Sequence, residues 1–492
     1  MKDLQGIIDQ IQLLMPEGEV EKAPEAIEAA ITSNPLDLPS KPPGCILKPA
    51  SPGELQEVMQ FANKSGLNLT VTSSTGAHRH GGILNNEEHL LVDLSSWNQI
   101  DLIDRRNRVC RVQPGVTYGQ LLTELSDHHM TLPTPLAPRN GKSVLASVMD
   151  REPHTWPNKQ WDSSDPVGST EFFFGTGERF RSGAGGGPGT IDQQREAGGA
   201  QKLSSGPSQT DFHRVVQGAE GALGIVTWIT LRCELEPSIQ ETRITGSHDL
   251  EDLLDFVYAV QRRMIGEQSF ILNNTAAAML MAGDNQGAYD HLREETPGYL
   301  LLQNVAGFER LPSERLAYHL DEIRDHARGS GLQLFEQVGG ISAAELLTRA
   351  TQPCGNLDWR DRLLGKSLSV IFISTLDRMP RFEQLFNTIA REHGIAESRI
   401  GIYIQPIVQN HACHFEGIIP FDAKSESELL QVKVFEKQIV AKLIEEGAYF
   451  SRPYGSATQL VWNQNPANYT LLKQVKQIFD PNRILQRGKW NL

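Results

Sequence analysis

The chain has 492 residues, which is long enough for two or three domains with a substantial core. With 39% apolar and 22% charged residues, and no apolar run near the ~20 residues that a membrane span needs, its composition is that of a soluble globular protein without a transmembrane segment. The formal net charge of −14 argues against a nucleic-acid partner, because such binding needs Lys and Arg concentrated opposite phosphates. The acidic balance serves solubility or, alternatively, the docking of a basic electron-transfer protein.

The amino terminus and the cysteines predict a cytoplasmic protein. Asp3 and Asp9 stand where a secretory signal would carry a positive flank and an apolar core. The five cysteines are scattered singly, without a C-x-x-C pair, which fits a reducing compartment and argues against zinc or iron–sulfur ligation. They are Cys45, Cys110, Cys233, Cys354 and Cys413.

Residues 1–44 are predicted to form an N-terminal arm that consists of one amphipathic helix and a proline-rich connector. The arm leads to a first strand at 45–49. Residues 51–62 have the pattern of a helix, 67–72 that of a strand, and 90–94 that of a second short strand. The chain therefore begins with strands that alternate with helices and turns.

Between the last two of these strands lies a loop rich in glycine and small hydroxyl residues. Residues 71–82 read Val-Thr-Ser-Ser-Thr-Gly-Ala-His-Arg-His-Gly-Gly. Such a sequence lets the backbone turn tightly and point several N–H groups into one concavity, which suits a pyrophosphate. An ordinary loop is the alternative, because the sequence matches neither the dinucleotide fingerprint G-x-G-x-x-G nor the P-loop.

This order of elements, continued by a strand, turn and helix over 109–122, resembles the flavin-binding domain of the vanillyl-alcohol oxidase and p-cresol methylhydroxylase family. In that family the loop wraps the diphosphate of FAD, so the resemblance implies FAD as the cofactor. Some relatives attach FAD through a histidine in this loop, where His78 stands, and others through a histidine or tyrosine in the cap; the cap tyrosine of p-cresol methylhydroxylase falls near Asp361. We expect any covalent flavin bond to use His78 or His80, because both lie in the loop that borders the ring. The loop residues that the resemblance assigns to FAD are Ser74, Thr75, Gly76, Ala77, His78, Gly81 and Gly82.

Residues 143–151 resemble the second flavin-contacting segment of the family, with a good match over their last three positions. The contacts to FAD that this match implies are those of Ser147, Met149 and Asp150. Several glycines of the family are replaced in and before this segment, by Lys142, Ala146 and Ser147. Residues 152–157 keep only the outline of the turn that follows in the family. We therefore expect altered surroundings for the flavin.

A hairpin with a Gly-Thr-Gly turn is predicted at 170–183, and the glycine-rich stretch 183–199 is predicted to be a mobile surface loop. The strongest match follows at 216–231, where a glycine-rich turn feeds an Ile-Val-Thr strand and lets the backbone approach a ligand closely. In the family this segment contacts the ribityl and adenosine side of FAD. The resemblance gives that role to Gly221, Gly224 and Ile225, and it makes 45–237 the predicted FAD-binding domain.

Residues 238–449 alternate long strands with charged helices, which predicts a cap with an antiparallel sheet whose one face roofs the isoalloxazine ring. Residues 450–492 are predicted to return to the FAD-binding domain, because 479–489 closely resemble the terminal Asp-Pro-Asn-x-Ile-Leu-x-x-Gly-Lys tail of the family. The lysine of that tail, Lys489, is assigned to the cofactor. The predicted fold class is α+β, with a PCMH-type FAD-binding domain of two subdomains and an α+β cap domain.

Arg452 falls on the active-site arginine of the family, which implies both a catalytic and a cofactor-binding role; a surface salt bridge is the alternative. The two tyrosines that hold a phenolate in the family fall on His80 and Ser451, and the catalytic acid falls near Pro138 or Arg139. The phenol site is therefore not preserved. Arg452 can still hold an anionic substrate, with His80 as a candidate base, because the unperturbed pKa of His, ~6.5, is close to working pH.

His414 and Glu416 share one face of a predicted cap strand by period-two alternation. The resemblance implies that His414 faces the substrate cavity as a third catalytic candidate, and a neutral core histidine is the alternative. A metal site built from these two residues and His411 would need further ligands, so we expect no metal.

The sequence thus predicts an FAD-dependent oxidoreductase that oxidises a small anionic alcohol, phenol-derived or hydroxy-acid substrate by hydride transfer to flavin N5. A flavoprotein subunit that has lost turnover within a larger electron-transfer complex is the alternative, because residues 140–157 lack several family glycines. The electron acceptor is expected to be oxygen or a partner protein. We also expect a homo-oligomer.

Overall fold

The computed structural model describes residues 4–31, 36, 41–76, 85–159, 166–199, 201–204, 206, 211–408 and 411–488. Two sheets with their helices occupy the N-terminal half of the chain, and one six-stranded sheet forms the centre of the cap. The last helices pack on the core of the second sheet, and the tail that follows them runs beside the first sheet. Every helix in this described part is too short or too polar to cross a lipid bilayer.

The first sheet leads into the predicted cofactor loop. Its region contains α1 (Leu4–Leu14), β1 (Glu19–Glu21), α2 (Pro24–Ala30), β2 (Ile46–Lys48), α3 (Pro52–Ser65), β3 (Leu69–Thr72) and β4 (Leu90–Asp93). The strand order is β1-β2-β4-β3; β4 is parallel to β2 and β3, whereas β1 is antiparallel to β2. Helix α3 begins where Ser51 caps the Glu54 N–H and ends at Gly66 in the left-handed conformation. The predicted helix and the two predicted strands on either side of the loop are confirmed.

The N-terminal segment is built into this sheet. Ile8 and Ile11 of α1 are buried in the same apolar cluster as Leu55 of α3. The carboxylate of Glu54 accepts hydrogen bonds from the backbone N–H groups of Glu17, at 2.8 Å, and Ala50, at 2.7 Å. Because β1 also pairs with β2, these residues extend the sheet instead of only leading to it.

A second, antiparallel sheet follows in the order β5-β6-β10-β8-β9, with β7 and β11 paired beside it. Its elements are β5 (Ile100–Asp104), β6 (Val109–Val112), α4 (Tyr118–Ser126), β7 (Met130–Thr131), α5 (Val144–Met149), β8 (Val167–Phe173), β9 (Arg179–Arg181), α6 (Ile191–Glu196), α7 (His213–Val216), β10 (Ile225–Arg232) and β11 (Glu234–Leu235). Strands β8 and β9 confirm the predicted hairpin, and β10 confirms the strand predicted after the glycine-rich turn.

The prediction of a loop over 183–199 is wrong, because the segment contains a 3-10 turn, Gly183–Gly186, and helix α6. Thr190 and Gln193 form a reciprocal capping box at the start of α6. The amide of Gln194, which is buried, donates hydrogen bonds to the carbonyl oxygens of Gly185, at 3.2 Å, and Gly187, at 2.7 Å. These polar contacts order a segment whose composition alone indicates a loop.

The cap contains β12 (Ile239–Ser247), α8 (Glu251–Arg262), β13 (Ser269–Asn273), α9 (Asn274–Ala282), α10 (Gln286–Glu295), β14 (Tyr299–Gly307), α11 (Pro312–Gly329), β15 (Gln337–Val338), β16 (Ile341–Ser342), α12 (Ala343–Thr351), β17 (Gly365–Ser374), α13 (Met379–Glu392), β18 (Gly401–Ile407), β19 (Ala412–Asp422) and α14 (Glu426–Glu445). The six-stranded sheet has the order β12-β14-β13-β18-β19-β17, and every neighbouring pair is antiparallel. The predicted antiparallel cap sheet is confirmed.

The C-terminal segment closes the fold with α15 (Ser456–Gln464) and α16 (Pro466–Phe479) and then runs beside β3. The Leu69 N–H donates to the Ile484 carbonyl at 2.6 Å, and the Gln486 N–H donates to the Leu69 carbonyl at 2.9 Å. These bonds confirm the predicted return of the tail to the strand that precedes the cofactor loop.

Candidate active site

Hydrogen bonds between two distant segments hold the residues that follow β3 against the start of α5. The Ser143 N–H donates to Ser74 Oγ at 3.0 Å, and the Ser143 hydroxyl in turn donates to the Pro114 carbonyl at 2.6 Å. The Thr75 N–H donates to the Gly141 carbonyl at 3.0 Å. Two of the segments that were assigned to FAD, near 74 and near 147, therefore meet.

A cavity of about 110 Å³, which we call the glycine cavity, lies beside these segments. Its lining includes five of the residues assigned to FAD, Met149, Asp150, Gly221, Gly224 and Ile225, together with the small residues Ser73, Pro114 and Ala146. Gly221 has φ +80°, and a Cβ atom there would lie 2.7 Å from Val71 Cγ1. Because Gly221 and Gly224 carry no side chain, the backbone can approach a ligand closely at these two positions, which fits the extended ribityl diphosphate part of FAD.

A second cavity of about 110 Å³, which we call the polar cavity, lies between these segments and the cap sheet. Its lining includes Ser74, Arg139, Lys142, Asp150, Glu152, Asp358, Arg360, Ile371, Tyr403, His414, Glu416 and Arg452. Asp150 lines both cavities. The cap sheet contributes Ile371, Tyr403, His414 and Glu416 through β17, β18 and β19, so one sheet face borders the cavity; that this face roofs the isoalloxazine ring stays a prediction.

Two of the cations in the polar cavity are paired with carboxylates. Arg360 Nε and Nη2 donate to the two carboxylate oxygens of Glu416 at 2.7 and 2.8 Å, and Nη1 donates to Asp358 at 3.2 Å. Burial would lower the pKa of Arg360, but these two acids outweigh burial and raise it. Lys142 Nζ donates to Glu152 at 2.8 Å. Burial would raise the pKa of Glu152, but Lys142 and Arg452 together lower it to about 2.

The other two cations, Arg139 and Arg452, are not paired in this way. Within the described ranges, no residue accepts a hydrogen bond from Arg452 or forms an ion pair with it. Arg139 is buried, and its one hydrogen bond within those ranges is donated by Nη1 to the Thr75 carbonyl. Both guanidinium groups border the polar cavity, where an anionic ligand can pair with them.

His414 is a neutral base beside Arg452. Burial lowers its pKa to about 3, and the positive charge of Arg452 contributes to the lowering. Its ring lies 5.7 Å from the ring of Tyr403, whose hydroxyl donates to Gln405 at 2.8 Å. At neutral pH the imidazole therefore carries no charge and can accept a hydrogen bond from a hydroxyl group.

Of the eleven assigned residues that the structure describes, eight line at least one of the two cavities and three do not. Thr75 and Gly76 lie in the loop after β3 but line neither cavity. The Ser147 hydroxyl is also directed elsewhere, because it donates to Glu152 and accepts from Tyr118 at 3.0 Å. The assigned residues Ala77, His78, His80, Gly81, Gly82 and Lys489 lie outside the described residues, so their roles, and any covalent attachment at His78 or His80, stay predictions.

Several residues of the polar cavity have no role assigned from the sequence. Lys142 and Arg139 were visible as charged residues in a segment where the family carries glycines or an acid, and that signal could have identified them. Arg360 and Tyr403 carry no local signal, because only the folding of the cap brings them to the cavity. In the part of the chain that the structure describes, no group of three His, Cys, Asp or Glu side chains could hold a metal ion, and Glu416 is bonded to Arg360.

Residues 43–181 match the family model of an FAD binding domain. The chain is 21% identical to D-2-hydroxyglutarate dehydrogenase of Stutzerimonas stutzeri over 497 residues, which cover 98% of both chains. It is 23% identical to D-lactate dehydrogenase of Archaeoglobus fulgidus over 461 residues, which cover 90% of both chains. Its fold is similar to that of p-cresol methylhydroxylase with substrate bound, with a TM-score of 0.82 and 16% identity over 100% of this chain and 97% of that chain.

The family match covers β2, β3, β4 and α5, together with part of the lining of each cavity. The whole-chain fold extends the similarity to the cap and the C-terminal segment. The chain therefore contains a PCMH-type FAD-binding domain, its relatives include FAD-linked oxidoreductases, and its cofactor is FAD.

Proposed function

We propose that this oxidoreductase oxidises a small 2-hydroxy acid. The observation that carries the proposal is the pair formed by Arg452 and His414 in the polar cavity, an arginine without a described carboxylate partner beside a neutral imidazole. A 2-hydroxy acid offers a carboxylate to the first residue and a hydroxyl to the second. Bound FAD would supply the two-electron acceptor for the hydride of the donor.

Arg452 positions the donor. A guanidinium group binds a carboxylate through two parallel N–H donors, which fixes orientation as well as charge. Loops after β3 and around α5 border the same cavity through Ser74 and Asp150, so a donor held by Arg452 is placed beside residues assigned to the cofactor. Such positioning accounts for a large part of the rate enhancement in a hydride-transfer site.

His414 accepts the hydroxyl proton. With a pKa of about 3 it is a weak base in the ligand-free cavity. Arg452 contributes to this low pKa, so a substrate carboxylate that neutralises the arginine raises the pKa of His414 towards the working pH. Binding of the anionic donor therefore strengthens the base that the oxidation needs.

A hydroxy acid is favoured over a phenol-derived donor by two observations. The positions that hold a phenolate in the family are Ser451 and His80, and the carbonyl of Ser451 accepts a hydrogen bond from Arg151 at 2.7 Å. The relatives that match at least nine-tenths of the chain include D-2-hydroxyglutarate and D-lactate dehydrogenases. The likeness to p-cresol methylhydroxylase supports the fold but not a phenolic substrate.

Anaerobic reduction of the flavin by a donor panel tests the proposal. The panel contains both enantiomers of lactate, malate and 2-hydroxyglutarate, together with glycolate, vanillyl alcohol and 4-hydroxybenzyl alcohol. We expect at least one hydroxy acid to bleach the flavin absorbance, whereas bleaching by the phenolic alcohols alone would contradict the proposal. Reduction by dithionite but by no donor would favour the alternative, a flavoprotein subunit without turnover.

The electron acceptor, the cellular location and the oligomeric state are further parts of this proposal. Electrons pass from the reduced flavin to oxygen or to a partner protein, and oxygen consumption during turnover distinguishes the two acceptors. The cytoplasmic location and the homo-oligomer are tested by fractionation of the source cells and by light scattering of the purified protein.

A further inference from the structure

Arg139 is a buried cation that has no carboxylate partner among the residues that the structure describes. It is 6% exposed, and Nη1 donates to the Thr75 carbonyl. Nε and Nη2 donate to no residue in the described ranges. A buried charge is costly unless it is paired, and an arginine has five N–H donors to satisfy. The missing acceptor is therefore expected to be a ligand that enters the polar cavity.

The acids nearest to Arg139 are already bonded to other cations. Burial lowers the pKa of Arg139, and the charges of Asp358 and Glu152 oppose this effect through space. Asp358 accepts from Arg360 at 3.2 Å, and Glu152 accepts from Lys142 at 2.8 Å. In the described part of the chain, neither of these two acids forms an ion pair with the guanidinium of Arg139.

Backbone hydrogen bonds attach the segment that carries Arg139 to the cap. The Ala137 N–H donates to the Ala350 carbonyl at 2.6 Å, and the Asn140 N–H donates to the Gly355 carbonyl at 2.9 Å. The Cys354 N–H donates to the carbonyl of the intervening Pro138 at 3.0 Å. Backbone bonds on both sides thus hold Arg139 against the cap, so that its guanidinium is preorganised for a ligand.

We propose that Arg139 is a specificity-determining residue that binds a second anionic group of the donor, so that the preferred substrate is a 2-hydroxy acid with two carboxylates. Arg452 and Arg139 then each bind one carboxylate in the same cavity. The inference rests on the proposed function, which requires Arg452 to bind the first carboxylate. The alternative partner of Arg139 is the FAD diphosphate, because Nη1 contacts the loop after β3, which is assigned to that diphosphate. The experiment below distinguishes a substrate carboxylate from the diphosphate.

Ligand binding to the oxidised holoenzyme tests the inference without turnover. Four diacids are each titrated into the oxidised holoenzyme: malonate, succinate, glutarate and adipate. The monocarboxylate of equal chain length is titrated separately, and the change in the flavin spectrum gives each Kd. We expect one diacid to bind about 30-fold or more tightly than its matched monoacid, as for a buried charge pair. Arg139→Gln should lower the affinity for that diacid to that of the monoacid. It should leave the monoacid affinity and the flavin content unchanged.

Arg362→Gln is the matched control. Arg362 donates to the Cys354 carbonyl at 2.7 Å, near the same contact between the two halves, but does not line the polar cavity. This variant should keep the wild-type preference. Equal binding of every diacid and its monoacid by the wild type would overturn the inference, and so would loss of FAD from Arg139→Gln with an unchanged diacid preference.

The same proteins separate this inference from the proposed function. Reduction of the flavin by 2-hydroxypentanoate as readily as by 2-hydroxyglutarate would overturn the second anion site while the oxidation of hydroxy acids stands. Tight, Arg139-dependent binding of a diacid without reduction by any hydroxy acid would support the second anion site while the proposed function fails.

Discussion

Lys476 links the C-terminal segment to the turn that borders the glycine cavity, and its removal should weaken both stability and FAD binding. The side chain is 3% exposed, and Nζ donates to the Ala222 carbonyl at 2.5 Å, to Asp480 at 2.6 Å and to the Leu485 carbonyl at 2.7 Å. All three ammonium hydrogens are used. Lys476→Met keeps the apolar stem and removes these bonds.

The magnitude follows from the carboxylate that is left behind. Asp480 is fully buried and keeps two backbone donors, the N–H groups of Ile484 and Leu485, each at 2.9 Å. Removal of one partner of a buried ion pair costs about 3–5 kcal/mol. Burial lowers the pKa of Lys476 despite the opposing charge of Asp480. The cost of desolvating the ammonium group therefore offsets part of the stabilisation that the ion pair provides. We therefore expect a loss at the lower end, about 3 kcal/mol.

Thermal and urea unfolding measure this loss, and titration of FAD into stripped protein measures the effect on the cofactor. Lys473→Met is the matched control, because Lys473 lies on the same helix and is exposed. We expect Lys476→Met to bind FAD at least about tenfold more weakly than the control, since the turn at Ala222 loses an attachment. Stability within about 0.5 kcal/mol of the control, with equal FAD affinity, would refute this reasoning.

Three further outcomes are expected. Gly221→Ala should lose FAD and stability, because its φ is +80° and the new Cβ would lie 2.7 Å from Val71 Cγ1; Gly66→Ala, at φ +65° with nothing within 4 Å, isolates the backbone strain. Burial raises the pKa of Glu267 to about 7, so its protonated form stabilises the fold at low pH and this stability is lost as the pH rises from about 4.5 through 7. Glu267→Gln should therefore raise the melting temperature at pH 8 but not at pH 4, and an equal shift at both would contradict the assignment. The pKa of His414, about 3, lies below its unfolded value of 6.5, so its contribution to stability is lost as the pH falls from 6.5 towards 3. His414→Gln should therefore reduce the difference in unfolding free energy between pH 7 and pH 5 by about 2 kcal/mol. An unchanged difference would show that the imidazole is not held neutral.

Local sequence signals were sufficient for most of the fold. Ser51 and Gly66 mark both ends of α3, and the glycine-rich turn before Ile225 marks the start of β10. The antiparallel cap sheet followed from long strands separated by charged helices. Local signals failed at 183–199, because the buried amide of Gln194 orders that segment through contacts that composition does not encode.

The candidate site was predictable where the chain matches the family and not where it departs from it. Asp150, Gly221 and Arg452, to which the resemblance assigned contacts with FAD or substrate, line the cavities, and their roles stay predictions. Arg139 and Arg360 were assigned no role, because their importance depends on which carboxylates the fold places beside them. Pairing of this kind is decided by tertiary contacts between the cap and the loops around α5, which no local pattern specifies.

The reductive half-reaction of Arg452→Lys tests the central claim most directly. Flavin reduction by the best 2-hydroxy acid is followed by anaerobic stopped flow in the wild type, Arg452→Lys and the control Arg362→Lys, each with its FAD content measured. A point-like ammonium cannot reproduce the paired donors of a guanidinium, so we expect Arg452→Lys to lose ~2–4 kcal/mol of transition-state stabilisation. The rate constant of flavin reduction divided by the donor Kd should then fall roughly 30- to 1000-fold, with FAD content retained. Near-normal reduction in Arg452→Lys at normal FAD content would contradict the assignment of Arg452 as the residue that binds the donor carboxylate.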